Sequence, residues 1–125
     1  MNAITKAQNA YRNDAHLVRT DRDTEYNAFA KITHRMKVAE TQGKRGFNEL
    51  AGALHDNRKL WMILASDVAA KSNPLPKELR ARIVYLSEFT RQHSSKVLSR
   101  TASVGPLIEI NTAIMRGLRD ERAKK

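Results

Sequence analysis

Two polar residues interrupt the most apolar helical face of the sequence. Asn57 and Arg58 fall within a stripe of apolar residues at three- and four-residue spacing, which includes Leu54, Trp61 and Leu64. An amide and a guanidinium can donate hydrogen bonds to a partner, and Trp and Arg often anchor protein interfaces. One interpretation is that Asn57, Arg58 and Trp61 line a groove that binds a partner helix.

A second interpretation is that these residues form a buried network. Asn111 also lies among apolar residues, in the segment IEINTAIM. A buried donor or acceptor without a partner costs ~1–3 kcal/mol, so buried polar groups are usually paired within the protein. Asn57 is then predicted to bond Asn111, and Arg58 to pair with Glu109, Asp67 or Glu49. The candidate partner-binding residues under the first interpretation are Asn57, Arg58, Trp61 and Asn111, with the groove between the two helices that carry them.

The histidines and carboxylates do not form a catalytic or metal-binding motif. The four histidines, His16, His34, His55 and His93, include no HExxH sequence, and a zinc site needs three or four converging ligands. His55 and Asp56 are neighbours, and neighbours on a helix do not face each other. His93 lies on an apolar face, where we expect a core histidine bonded to a backbone carbonyl or a side chain. No glycine-rich phosphate loop is present. We therefore expect no enzymatic activity, no cofactor, no metal and no small-molecule substrate.

The composition favours a single basic domain in a reducing compartment. The chain has 125 residues, no cysteine and a net charge of +10. Such a charge favours acidic partners, including nucleic acid. The positive residues are scattered, however, and aromatic residues make up only 6%, which argues against sequence-specific reading of RNA bases. No apolar run approaches the ~20 residues that cross a bilayer, and no terminal stretch resembles a signal peptide. We expect a soluble, cytoplasmic protein with no membrane partner.

Four amphipathic helices are predicted to position these residues in an all-α bundle. Gly43, the segment SNPLP and Pro106 mark the boundaries between them. The last helix is apolar around much of its surface, which predicts that it is largely surrounded. The expected divisions are an N-terminal segment at 1–20, a helical domain at 21–118 and a basic tail at 119–125. Within the domain, the expected helices span 21–42, 47–70, Pro76 to the late nineties, and 106 to about 118. The N-terminal segment is predicted to be a short helix or partly disordered.

Several motifs along these helices are shared with a known family. They are NRKLWMILASDVA from Asn57, NPLP from Asn73, HSS from His93 and PLIEINTAIMRGL from Pro106, with TEY from Thr24 and Tyr11 as weaker matches. Over about residues 20 to 118 the chain resembles the flagellar biosynthesis regulator FlaF of alphaproteobacteria. The resemblance implies a non-enzymatic protein that promotes flagellin synthesis or secretion. It implies that this protein works together with the regulator FlbT, which represses flagellin translation, and that it has the opposite effect. It also implies binding of flagellin as a cytosolic export chaperone.

Three partners therefore follow as hypotheses. Flagellin is the first, because its unassembled ends become amphipathic helices that a groove could shield. Flagellin messenger RNA is the second, supported by the net charge of +10. The FlbT regulator is the third, in which case flagellin is affected only indirectly.

Overall fold

The computed structural model describes residues 21–123, and the side chains of 24–120, as a bundle of four α-helices. The helices are α1 (Asp21–Thr41), α2 (Phe47–Ala69), α3 (Lys77–Leu98) and α4 (Gly105–Ala123), with a 3₁₀ turn at Gly43–Gly46. No strand occurs in this range. The predicted all-α fold is confirmed, and the first three helices end within one or two residues of their predicted positions. The prediction for residues 1–20 lies outside the described residues.

The turn between α1 and α2 requires both of its glycines. Gly43 has a φ of +59°, a conformation that is costly for residues with a Cβ. A Cβ at Gly46 would clash with the carbonyl oxygen of Ala39. The predicted GKRG turn is therefore confirmed, and it brings α2 back against α1.

The NPLP loop between α2 and α3 is held by Asn73. Its Oδ1 accepts a hydrogen bond from the backbone N–H of Leu75 at 3.0 Å, and its Nδ2 donates to the carbonyl of Asp67 at 3.2 Å. Leu75 itself is buried. Pro76 has an extended backbone and immediately precedes α3. This position suits proline, because proline has no N–H to donate and disfavours a helical conformation in the residue before it.

The end of α3 closes with a Schellman motif that has Arg100 where glycine is usual. Arg100 has a φ of 64°, its N–H bonds the carbonyl of Val97 at 3.0 Å, and the N–H of Thr101 bonds the carbonyl of Lys96 at 2.9 Å. The guanidinium of Arg100 lies 4.4 Å from the centroid of the Phe47 ring. This cation–π contact offsets part of the conformational cost and ties the loop to the start of α2.

The helices form a ring in which α1 packs on α2 and α4, and α2 packs on α3. The short connections make successive helices antiparallel. Of the neighbouring helices, α3 and α4 approach each other least closely, and α2 and α4 lie diagonally opposite across the core. The buried apolar side chains form two clusters. The first contains Phe29, Trp61, Leu64, Val68, Leu75, Ile83, Ile114 and Leu118, and the second contains Met36, Ala53, Leu54, Val97, Val104 and Leu107.

Two predictions for the last helix are wrong. α4 continues to Ala123 instead of fraying after Leu118, because Gly117 has no positive φ and neither proline nor another glycine follows it before Ala123. α4 is also not surrounded, since Ala113 and Arg116 are exposed and its buried residues follow a single stripe. Within residues 21–123, none of the four helices combines the length and the hydropathy of a bilayer-spanning segment.

Candidate functional site

Three helices place four polar side chains in contact at the centre of the bundle. The indole Nε1 of Trp61 donates to Asn111 Oδ1 at 2.8 Å. Asn111 Nδ2 donates to Asn57 Oδ1 at 2.8 Å and to Thr33 Oγ1 at 3.1 Å. All four residues are at most 3% exposed. We call Thr33, Asn57, Trp61 and Asn111 the amide network.

The sequence builds this network because each member lies on the apolar face of its helix. Asn57 and Trp61 are one turn apart on α2, and Asn111 lies diagonally opposite on α4. The edge of the Trp61 ring also meets Phe29 of α1, with centroids 5.3 Å apart and planes at 79°. Asn111 uses both of its N–H donors and its carbonyl, so its amide links α1, α2 and α4 in one register.

The network contains no ionisable group, so it cannot transfer protons, and its burial keeps solutes away. Its physical role is to fix the relative positions of the helices. The predicted Asn57–Asn111 bond is confirmed. In this structure the side chains of Asn57, Trp61 and Asn111 are bonded to one another inside the core. Their direct contact with a partner stays a prediction.

Arg58 is separate from the network. It is half-buried and forms no ion pair with a described side chain, so the predicted pairing with Glu49, Asp67 or Glu109 is wrong. The physical reason is helical rotation: a residue next to buried Asn57 is turned by about 100° toward the edge of the buried stripe.

Thr33 is the network member that the sequence reasoning missed as a bonding partner. It lies between Phe29 and Met36 on the apolar face of α1. The same signal, a polar side chain among buried apolar ones, identifies Asn57 and Asn111. Applied to α1, it would have found Thr33.

The histidine expected in the core stabilises a loop. His93 Nε2 lies 2.8 Å from the backbone carbonyl of Ser103, and its ring stacks on Phe89 with centroids 5.2 Å apart. The predicted bond to a backbone carbonyl is confirmed. Among the described residues, no group of three His, Cys, Asp or Glu side chains is placed to hold a metal ion.

The charged surface has two ion pairs between described side chains. Arg35 of α1 donates to Asp56 of α2 at 2.7 Å. On α3, two guanidinium N–H groups of Arg91 donate to the two carboxylate oxygens of Glu88. The bonds from Arg91 and then from Gln92 lower the pKa of Glu88 to about 2, and the same pairing raises the pKa of Arg91.

The comparison with protein families decides the assignment. The family model "Flagellar protein FlaF" matches residues 7–118. The chain belongs to the FlaF family. The match begins at residue 7, earlier than residue 20, where the motif resemblance began, so it includes residues ahead of α1. No curated protein and no solved structure matched the chain. FlaF membership identifies a flagellar protein, and the amide network contains the asparagines of two of the motifs that carry the resemblance.

Proposed function

We propose that this FlaF-family protein promotes the synthesis or secretion of flagellin by binding flagellin in the cytoplasm as an export chaperone, without catalysing a reaction. The observation that carries the proposal is the FlaF match over residues 7–118. The all-α architecture supports it, because helical bundles commonly bind amphipathic helices on their surfaces.

The physical logic concerns the ends of unassembled flagellin. These ends are disordered before assembly and then form amphipathic helices that pack into the filament. A chaperone that covers their apolar faces keeps them from associating early. The net charge of +10 accelerates the encounter with an acidic client, and this acceleration weakens as salt screens it.

The test is titration calorimetry of the full chain with purified monomeric flagellin at low and at physiological salt. We expect a stable complex at both salt concentrations, with an affinity that falls modestly as salt rises. An unrelated acidic protein of similar net charge is the control and should not bind at physiological salt. Absence of a flagellin complex at physiological salt would refute the proposal.

A second candidate, direct binding to flagellin messenger RNA, is favoured by the same charge of +10. RNA binding through phosphates alone weakens steeply with salt. A mobility shift at physiological salt that prefers the flagellin leader over a scrambled leader would support this candidate. Co-purification from motile cells distinguishes both candidates from an adaptor whose main partner is the FlbT regulator.

A further inference from the structure

Four of the five exposed large apolar side chains in the described range lie on α2 and α3. Met62 and Ile63 of α2 are 66% and 55% exposed, and Val84 and Tyr85 of α3 are 49% and 69% exposed. The other exposed large hydrophobic residue in the described range, Val38, lies on α1. We call Met62, Ile63, Val84 and Tyr85 the apolar band.

The register between α2 and α3 brings the four residues to one level. The hydroxyl of Ser87 donates to the carbonyl of Trp61 at 3.4 Å, which sets these two positions side by side. Because the helices are antiparallel, Val84, three residues before Ser87, comes level with the residue three after Trp61. Met62 and Ile63 are therefore at the same height on α2 as Val84 and Tyr85 are on α3.

The order of these side chains around the helices makes the band continuous. Ile63 is two turns after Asp56, which bonds α1, so Ile63 lies on the α1 side of the outer surface. Met62 is turned by about 100° from Ile63, toward α3. Val84 lies on the same side of α3 as Ser87, which faces α2. The spatial order across the outer surface is thus Ile63, Met62, Val84 and Tyr85.

Cations without ion-pair partners lie at both ends of the band. Arg58 and Lys59 lie one turn before Met62 and Ile63, and Arg80 and Arg82 lie about one turn before Val84 and Tyr85. None of these four forms an ion pair with a described side chain. The nearby carboxylate of Glu88 is already bound by Arg91. The two cationic ends are separated along the helix axes by about 15 Å, the length of about ten helical residues.

We propose that the apolar band and its cationic ends bind an acidic amphipathic helix of the client protein, an inference that rests on the proposed function. Contiguous exposed apolar side chains edged by polar ones mark interaction sites. A helix laid along the α2–α3 pair would place its apolar stripe on Met62 and Val84. Acidic side chains about ten residues apart on that helix would reach Arg58 and Arg80.

Charge complementarity favours this occupant over two others. A second copy of the chain docked symmetrically would bring two cationic rims together, which is unfavourable. RNA would be held by the cations alone, since the band offers Tyr85 as its one aromatic ring for stacking. Both occupants are outcomes that the experiment can identify.

The first test is photo-crosslinking of the full chain in motile cells and with purified flagellin. A photo-crosslinking amino acid replaces Met62 in one variant and Val38 in the matched control. We expect an adduct from position 62, with its site mapped to an acidic amphipathic segment, and none from position 38. No adduct from position 62, an adduct with a second copy, or an adduct with RNA would overturn the inference.

The same experiment separates the inference from the proposed function. If flagellin binds but crosslinks only from position 38, the apolar band is not the binding site and the proposed function stands. If flagellin does not bind but position 62 captures an acidic helix of another identified protein, the band is right and the proposed function is wrong.

The second test uses substitutions at the surface. Met62→Glu combined with Val84→Glu should weaken flagellin binding by about ten-fold or more, because it places two charges at the centre of the contact, where a few desolvated residues carry most of the binding energy. Val38→Glu is the matched control and should bind as the wild type does. Arg58→Glu combined with Arg80→Glu should weaken binding and reduce its dependence on salt. Circular dichroism melting verifies that each variant is folded. Wild-type affinity in Met62→Glu/Val84→Glu would overturn the inference.

Discussion

Trp61 and Met62 are consecutive residues of α2 in opposite surroundings. Trp61 is 1% exposed, bonds Asn111 and meets the ring of Phe29, whereas the side chain of Met62 is 66% exposed. The bonded side chains of the amide network join α1, α2 and α4, whereas Met62 lies on the outer surface, where we propose that a partner binds. A polar side chain in the core and an apolar side chain at the surface therefore have different expected roles, the first in stability and the second in binding. Substitution can test each role.

The largest expected effect is on the buried side of this comparison. Asn111→Ala removes the acceptor for Trp61 Nε1 and the donors to Asn57 and Thr33, and it leaves their polar atoms buried. We expect the free energy of unfolding to fall by about 3 kcal/mol. Urea unfolding followed by circular dichroism measures it. Glu109→Ala, at an exposed position of the same helix, should change stability by less than about 0.5 kcal/mol. Equal stability of the two variants would contradict the role of the network.

A smaller effect sharpens the claim that the network acts as one unit. Asn57→Ala combined with Asn111→Ala should cost about 1 kcal/mol less than the sum of the single variants, because both remove the same 2.8 Å bond. Unfolding free energies of the four proteins in the cycle measure this coupling. Asn57→Ala combined with Glu109→Ala should be additive within about 0.5 kcal/mol. Strict additivity in the first cycle would show that the two amides act independently.

The smallest expected effect is at the exposed ion pair beside the band. The pKa of Glu88 is lowered from 4.5 to about 2, so its stabilising contribution is complete above pH 4.5 and is lost as the pH falls through 2. Glu88→Gln should lower the melting temperature only slightly at pH 7, because the pair is exposed. The difference from the wild type should vanish below pH 2. A difference that grows as the pH falls would contradict this account.

The helix positions could be predicted because the sequence marks them strongly. Gly43 supplies the positive φ that ends α1, the prolines of SNPLP separate α2 from α3, and Pro106 lies in the first turn of α4. The end of α4 could not be predicted, because Gly117 weakens a helix without requiring it to stop.

The candidate site could be predicted only in part. The Asn57–Asn111 bond followed from two polar residues on apolar faces, each needing a partner. The link to Thr33 and the position of Arg58 depend on which helices are neighbours and on the rotation of each helix. Neither quantity is visible in the periodicity of a single helix.

The apolar band was also hidden from the sequence. In the sequence, Val84 and Tyr85 are two apolar residues on the otherwise polar face of α3, and Met62 belongs to the apolar run LWMILA. Their common height depends on the contact between Ser87 and Trp61, which joins two different helices. Only the packed structure brings these residues together.

The most direct test of the account uses the variants Trp61→Phe and Met62→Glu. It measures the flagellin affinity and the free energy of unfolding of each. Trp61→Phe should lose about 2 kcal/mol of stability through the missing indole N–H and the smaller ring, and it should bind flagellin normally while folded. Met62→Glu should keep its stability and bind flagellin more weakly. The opposite outcome, weak binding by a stable Trp61→Phe and normal binding by Met62→Glu, would place the client at the centre of the bundle and contradict the account.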